Sequence, residues 1–384
     1  MMKIAVLGTG VTKFGEIWEK SLIDLAKEAA NQALDDANIE ISDIEAIFIA
    51  NMLAGEIENQ VHLGSLIGEK IGFDGPAIRI EGACASGGMA VRNAVLSLLS
   101  GEYRRILVIG VEKMTDYQSD QIGEALMAAA DEEERAAGLT FPSLFALMAK
   151  VYMDKYKVKR SDLAQVSVKN HFHASLNPKA QFPFQITIEQ VLQSPMVADP
   201  LRLFDCSPIS DGASALVLAN MNYVSQVYPC PATIIASAQS SDTLSLTKRK
   251  DLTRLISVEK AAKKAYQTAS IGPKDIDFVE VHDCFTIAEI MALEALGFYQ
   301  QGEGWQGAVK KETYLEGKLP VNLSGGLKAF GHPVGATGVK QVVEITDQLR
   351  GRAGKRQTSK ARIGLAENIG GAGGSAVIHI LTND

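Results

Sequence analysis

Residues 33–49, ALDDANIEISDIEAIFI, recur 232 positions later as residues 265–281, AYQTASIGPKDIDFVEV, and this pair of stretches decides the fold. Without a gap, Ala33, Ala37, Ile39, Asp43 and Ile44 fall on the identical Ala265, Ala269, Ile271, Asp275 and Ile276. Ile47 and Ile49 fall on Val279 and Val281. Each copy reads as an alanine-rich amphipathic helix (Leu22 to Ala37; Val258 to Ala269), a polar connection and a β-branched strand (Ile44 to Ala50; Ile276 to Val281). Further along, each half has a glycine-rich turn, a helix and a strand: Ala83 to Leu99 with Ile106 to Gly110, and Gly331 to Leu349 with Ala361 to Ala366. Strands apolar on both faces need helices on both sides, so the expectation is an α/β protein built from two related halves.

Between the halves, Thr115 to Pro200 is rich in Met, Phe, Pro and His and reads as an inserted region. It carries expected helices at Pro142 to Tyr156 and Ser161 to Ser175, and an irregular stretch with four prolines of the kind that covers a substrate site. The strand Ala213 to Leu218 then returns to the first half. The expected division is 1–114 with 201–225 for the first half, 115–200 for the insertion and 226–384 for the second half.

Composition narrows the class. In 384 residues, 46% hydrophobic and 22% charged residues suit a well-packed globular protein, and no stretch is apolar for long enough to span a bilayer. The expected location is the cytoplasm. A formal net charge of −7 provides no basic field for nucleic acid or an anionic membrane. Cysteines 84, 206, 230 and 284 form neither a disulfide framework nor paired CxxC metal spacing. Lys248, Arg249 and Lys250 with Arg254, and the run Arg350 to Arg362, could hold the phosphates of an anionic ligand or simply form solvated surface.

The chemistry concentrates in four short segments. In GACASGG (82–88), Cys84 stands where a loop becomes a helix, so backbone N–H groups and the helix dipole can stabilise a thiolate; a small buried hydrophobe is the alternative. In VHDCF (281–285), His282 and Cys284 emerge together at a strand end, the edge where α/β sheets bind ligands. A cysteine near its unperturbed pKa can exchange protons, and an imidazole can hold an oxyanion. Two ligands fall short of the four of a closed zinc site, so no metal is expected. His332 sits on a Gly/Pro-bounded turn in GHPVGATG (331–338), accessible or else satisfying turn carbonyls. ENIGGAGG (367–374) offers exposed N–H groups as oxyanion donors. Gly8-Thr-Gly10 lacks the third glycine of a dinucleotide site, which disfavours a Rossmann dehydrogenase.

Taken in order across two repeated halves, GACASGG, VHDCF, SGGLKAFGHPVGATG and ENIGGAGG resemble the motifs of the thiolase family over essentially the whole chain, including KNHFHASLNPKAQF and PLRLFDCSPISDGASA. The resemblance implies a five-layered αβαβα double domain with a loop domain over the site. Where many thiolases have NEAF and a C-terminal CxG, this sequence has His282-Asp-Cys-Phe285 and Asn368-Ile-Gly370, as in sterol-carrier-protein-type and archaeal members. It implies ping-pong condensation of two acetyl-CoA to acetoacetyl-CoA and CoA, with no permanently bound cofactor. Cys84 would be the nucleophile activated by His332, and Cys284 the acid/base. His282 and His332 would hold the enolate oxygen, and the N–H groups of Cys84 and Gly370 the tetrahedral oxyanion, with Asn368 in the place of the second cysteine. Ser237 loosely matches a serine near the pantetheine. Archaeal relatives further imply a homodimer or homotetramer and a complex with hydroxymethylglutaryl-CoA synthase and a zinc-containing OB-fold bridging protein, supplying the mevalonate pathway of isoprenoid biosynthesis. The alternatives are thiolysis of longer or branched 3-ketoacyl-CoA and a catalytically silent scaffold subunit.

Overall fold

The computed structural model describes residues 3–224 and 232–383; Cys230 and the expected boundary at 225/226 lie outside them. In chain order the strands are β1 (Ile4–Val11), β2 (Ala46–Ala50), β3 (Ala77–Ile80), β4 (Arg105–Glu112), β5 (Met196–Ala198), β6 (Leu201–Arg202), β7 (Gly212–Asn220), β8 (Thr233–Ser241), β9 (Phe278–Glu280), β10 (Ile363–Gly370) and β11 (Ser375–Thr382). The helices of the first half are α1 (Leu22–Ala37), α2 (Ala54–Ile57), α3 (Leu63–Lys70) and α4 (Ser86–Ser100). The insertion carries α5 (Ser119–Met127), α6 (Glu132–Ala136), α7 (Phe141–Tyr156), α8 (Arg160–Ala174) and α9 (Ile188–Gln193). In the second half are α10 (Ile256–Ala269), α11 (Thr286–Ala295), α12 (Gln306–Val309) and α13 (Val334–Leu349).

Nine strands pair in the order β3-β2-β4-β7-β1-β8-β11-β10-β9. Read outward from the β1–β8 junction, where Ile4 faces Ile234, the two halves repeat one plan. β7 and β11 are antiparallel neighbours of the junction strands, β4 and β10 are antiparallel to those, and β2 and β9 lie parallel beyond. The outermost β3 is matched by an isolated parallel bridge between Val279 and Val321. The repeat extends to backbone conformation: α1 and α10 end at Asn38 and Ser270, 232 positions apart and both left-handed, with φ of 51° and 59°.

Apolar packing separates five layers. Leu25, Ala26, Ala29 and Ala33 of α1 pack on Ala5, Leu7, Ile47 and Ile49, and the opposite sheet face, with Ile4, Val6 and Phe48, packs on α4 and α13. The same central helices meet Phe278, Ala366 and Leu381, while Val258, Ala261 and Ala265 of α10 cover the far face through Val279, Ile378 and Ile380. At their N-terminal turns α4 and α13 approach backbone to backbone. A Cβ on Gly338 would lie 2.2 Å from Gly88 N, and one on Gly87 would lie 2.7 Å from Gly338 N, so only glycine permits the approach. It brings the loops carrying Cys84 and His332 together.

The insertion leaves the first half after β4 but packs on the second: Leu144, Phe145, Met148 and Tyr152 of α7 and Leu163 and Val166 of α8 share a core with Ile287, Ile290 and Met291 of α11. The β5–β6 ribbon straddles Pro200, and the return strand β7 runs from Gly212 to Asn220, covering the expected Ala213 to Leu218.

Candidate active site

Cys84 lies on a single tight turn, Ala83–Ala85, that precedes α4. The turn is shaped by Ser86, whose Oγ accepts from Gly82 N (2.9 Å) and donates to Ala83 O (2.6 Å), and by Ala83 at φ +53°, a conformation unusual for a residue with a Cβ. Burial pushes the thiol up to about 12, against the opposing pull of the Gly371 N–H. At rest Cys84 is a neutral thiol that needs a base.

His332 provides one. Its backbone N–H donates to Ser210 Oγ (2.9 Å), and its Nδ1 lies 2.7 Å from Thr337 Oγ1. The single hydroxyl proton of Thr337 goes to Pro333 O (3.0 Å), so Nδ1 must be the donor to Thr337, and Nε2 is left with a free lone pair. Burial and the Lys340 charge lower the imidazole to about 3, which keeps the ring neutral and its Nε2 lone pair unprotonated.

His282 carries the opposite tautomer. Asn368 Oδ1 accepts from Gly88 N (3.0 Å), which orients its amide so that Nδ2 donates to Cys84 O (3.0 Å) and to His282 Nδ1 (3.0 Å). With Nδ1 an acceptor, the ring proton sits on Nε2. That atom is buried without a hydrogen-bond partner, as an N–H awaiting an oxyanion would be. The rings of His282 and His332 meet edge to face at 5.0 Å, and ligand atoms of Cys84, His282 and His332 lie within 4.8 Å of one another.

The loop from His282 to Phe285 is held on all sides. His282 N donates to Glu367 Oε2 (2.7 Å), Asp283 accepts from Asn170 Nδ2 and Leu327 N (both 2.6 Å), and Cys284 O accepts from Ser207 N (2.9 Å). Cys284 is buried, and desolvation together with neighbouring Cys84 drives its thiol well above the usual range. Burial therefore favours the protonated thiol.

Cys84, Cys284, His332 and Gly371 open on one cavity of about 200 Å³, walled mainly by Met114, Leu126, Phe141, Phe145, Ile209 and Phe285. A wider depression of about 630 Å³ reaches the same turn from outside, along Arg79, Glu81, Ala83, Leu244 and Gly371.

Some expected site residues lie elsewhere. Ser237 is buried in the middle of β8, opposite His379 in the ladder, and accepts from Arg92 Nη1. The serines on the cavity wall are Ser119 and Ser207. The Gly371 N–H pulls the Cys84 thiol down, and the neighbouring Gly370 ends β10 with its carbonyl accepting from Gly373 and Gly374. Lys248 is exposed beside Asp131 (3.7 Å), and Arg249 donates to Thr243 O and Ala372 O, tying its loop to the turn beyond Gly370. The basic run from Arg350 to Arg362 is largely spent on Asp36, Glu344 and Asp277 and is not an open phosphate site. Thr337 and Ser207 stand inside motifs visible in the sequence, yet only the five-residue span from His332 hinted at a role for Thr337.

Residues 4–222 match the model of the thiolase N-terminal domain, and residues 238–383 that of the thiolase C-terminal domain-like family. Acetyl-CoA acetyltransferase of Methanothermobacter thermautotrophicus is 48% identical over the full length of both chains, and that of Methanocaldococcus jannaschii 44%, again over both in full. Human sterol carrier protein 2 is 32% identical over 98% of this chain and 71% of its own length. Among solved structures, acetyl-CoA acetyltransferase from Syntrophomonas wolfei superimposes over all of both chains with a TM-score of 0.77 at 19% identity. The Ltp2-ChsH2(DUF35) aldolase does so over 99% of this chain and 97% of its own, with a TM-score of 0.85 at 24% identity.

Proposed function

This chain belongs to the thiolase family, and from that premise we propose that it is an acetyl-CoA C-acetyltransferase, condensing two acetyl-CoA to acetoacetyl-CoA and CoA through an acyl-cysteine. The observation that carries the reading is the pair of opposed tautomers beside Cys84: a lone pair on His332 Nε2 to take a proton and an N–H on His282 Nε2 to hold an oxyanion.

The steps follow from the protonation states. His332 Nε2 takes the Cys84 proton, and the thiolate attacks the acetyl carbonyl while the Gly371 N–H faces the reacting centre. CoA departs as its thiolate and takes the proton of Cys284, whose burial keeps that proton in place beforehand. The Cys284 thiolate, a strong base because it is desolvated, removes an α-proton from the second acetyl-CoA, and His282 Nε2–H holds the enolate oxygen. The enolate carbon attacks acetyl-Cys84, and the departing Cys84 thiolate recovers its proton from His332. No permanently bound cofactor enters this scheme.

Acid quenching after incubation with acetyl-CoA, followed by peptide mass spectrometry, should find the acetyl group on Cys84. Cys284→Ala should still acylate but lose α-proton exchange in deuterated buffer. Acetylation of Cys284 in its place, or exchange retained without it, overturns the assignment.

A second reading rests on the apolar wall of Met114, Leu126, Phe141, Phe145 and Phe285, which favours thiolysis of longer or branched 3-ketoacyl-CoA. A thiolysis series of increasing chain length separates the two, since kcat/KM falling beyond four carbons supports the acetyltransferase. The unfavourable condensation also calls for a consumer of acetoacetyl-CoA, and the archaeal resemblance makes a hydroxymethylglutaryl-CoA synthase the proposed partner. Native mass spectrometry of the co-expressed proteins tests it, and a thiolase found only as a homo-oligomer rejects it.

A further inference from the structure

Cys84, His282 and His332 present a sulfur and two imidazoles to one small volume, all three buried and mutually within 4.8 Å. By donor type this is the Cys-His-His set of an open zinc site. A thiophilic cation there would occupy the nucleophile, so the question is what distinguishes this cluster from a metal site.

The hydrogen bonds answer it. His332 is ready to ligate, because its proton is on Nδ1, bonded to Thr337, and its Nε2 lone pair is free. His282 is not. Asn368 cannot rotate to accept from it, since its Oδ1 is engaged by Gly88 N and its Nδ2 also donates to Cys84 O. The amide therefore holds a donor against His282 Nδ1 and leaves the ring proton on the inward, unpartnered Nε2. A cation at that atom would meet an N–H. A metal-bound histidine ordinarily has the reverse arrangement, with its outer N–H given to a carboxylate or carbonyl.

We propose that Asn368 is a positioning residue that keeps thiophilic divalent cations out of the Cys84–His282–His332 cluster by fixing His282 in the tautomer that presents an N–H. The substitution that reverses the device is Asn368→Asp. A carboxylate accepts from His282 Nδ1–H while still accepting from Gly88 N, and Nε2 turns its lone pair toward Cys84. On binding M²⁺, Cys84 releases its thiol proton to solvent and the sulfur and two Nε2 atoms become ligands, with solvent in the fourth position. The inference concerns these residues toward a metal and stands whether or not the acetyl-CoA reading does, because its readout is metal binding.

Purified wild-type protein and Asn368→Asp, with folding compared by circular dichroism, would be titrated with Co²⁺ as a spectroscopic stand-in for Zn²⁺. The variant should show the thiolate-to-cobalt charge-transfer band and the intense visible bands of a four-coordinate site. Its affinity should exceed that of the wild type by about 10- to 100-fold, as second-shell changes typically produce. Adding Cys84→Ala should abolish the charge-transfer band. An equally strong band in the wild type, or a folded Asn368→Asp without one, overturns the proposal. Should the variant not fold, ¹⁵N correlation spectra of wild-type histidine side chains decide: His282 protonated on Nε2 supports the proposal, and on Nδ1 rejects it.

Discussion

The ends of β4 and β10 occupy equivalent places in the two halves, yet one closes a structural joint and the other opens a reactive site. Ala50 pairs with Gly110 in the first half and Glu280 with Ala366 in the second, so two residues further on Met52 stands beside Glu112 and His282 beside Asn368. Each strand-end residue also reaches the first turn of the opposite half's central helix: Glu112 accepts from Gly335 N of α13 (2.9 Å), and Asn368 from Gly88 N of α4 (3.0 Å). A carboxylate can only accept, and Glu112 collects Asn51 Nδ2, Met52 N and Leu53 N besides. The joint is saturated. An amide accepts at one atom and donates at the other, so Asn368 passes a direction on to His282 and leaves one buried N–H without a partner. A carboxylate at one of two equivalent positions and an amide at the other separates scaffold from chemistry.

The comparison breaks most visibly at the base. His332→Ala should slow release of CoA in a single-turnover acylation by about 10²- to 10⁴-fold, the usual contribution of a positioned general base. Unchanged acylation would remove His332 from the role and leave the two central-helix starts chemically alike. A smaller loss is expected at the oxyanion donor. His282→Ala should lower kcat by about 10²- to 10³-fold while acetyl-Cys84 still forms, and a variant that fails to acylate would move His282 into the first half-reaction.

The joint predicts the opposite partition. Glu112→Gln replaces one acceptor oxygen by a donor facing buried N–H groups, which should cost about 1–3 kcal/mol in stability and lower the urea midpoint. The kcat of the folded fraction should stay within about tenfold. A variant of unaltered midpoint and collapsed kcat would show that Glu112 acts on the reaction.

How much of this was legible depended on distance along the chain. The repeat was, because seventeen ungapped residues preserve the spacing of one buried face and even the left-handed cap at Asn38 and Ser270. Cys84, His282, Cys284 and His332 were, because each sits at a glycine-marked loop or strand end. The partners were not. Arg350 is paired to Asp36 across 314 residues, and no local pattern announces that. A serine in a strand, such as Ser237, does not reveal which neighbour it faces, and Ser207 lies in an irregular return whose path only packing defines. The upward push on both thiols comes from burial, which no local motif reveals.

The smallest effect concerns acid stability, and it again sets one half against the other. The second half buries His282, His332 and His379 as neutral rings, whereas the first half outside the insertion has only the exposed His62. For His332, desolvation lowers the folded-state pKa to about 3, against about 6.5 in the unfolded chain. Above pH 6.5 neither state binds the proton and the ring has no effect on the pH slope. Below it the unfolded chain takes up a proton that the fold refuses, so stability is lost as pH falls, at about 1.4 kcal/mol per pH unit for one such group, until the folded pKa is reached. His332→Gln removes that contribution. Urea midpoints of wild type and variant, taken at intervals from pH 7 to pH 4.5, should therefore converge as the solution is acidified, with the wild type losing stability faster. Parallel profiles would mean that the fold leaves the His332 pKa where the unfolded chain has it, and that burial does not hold the ring neutral.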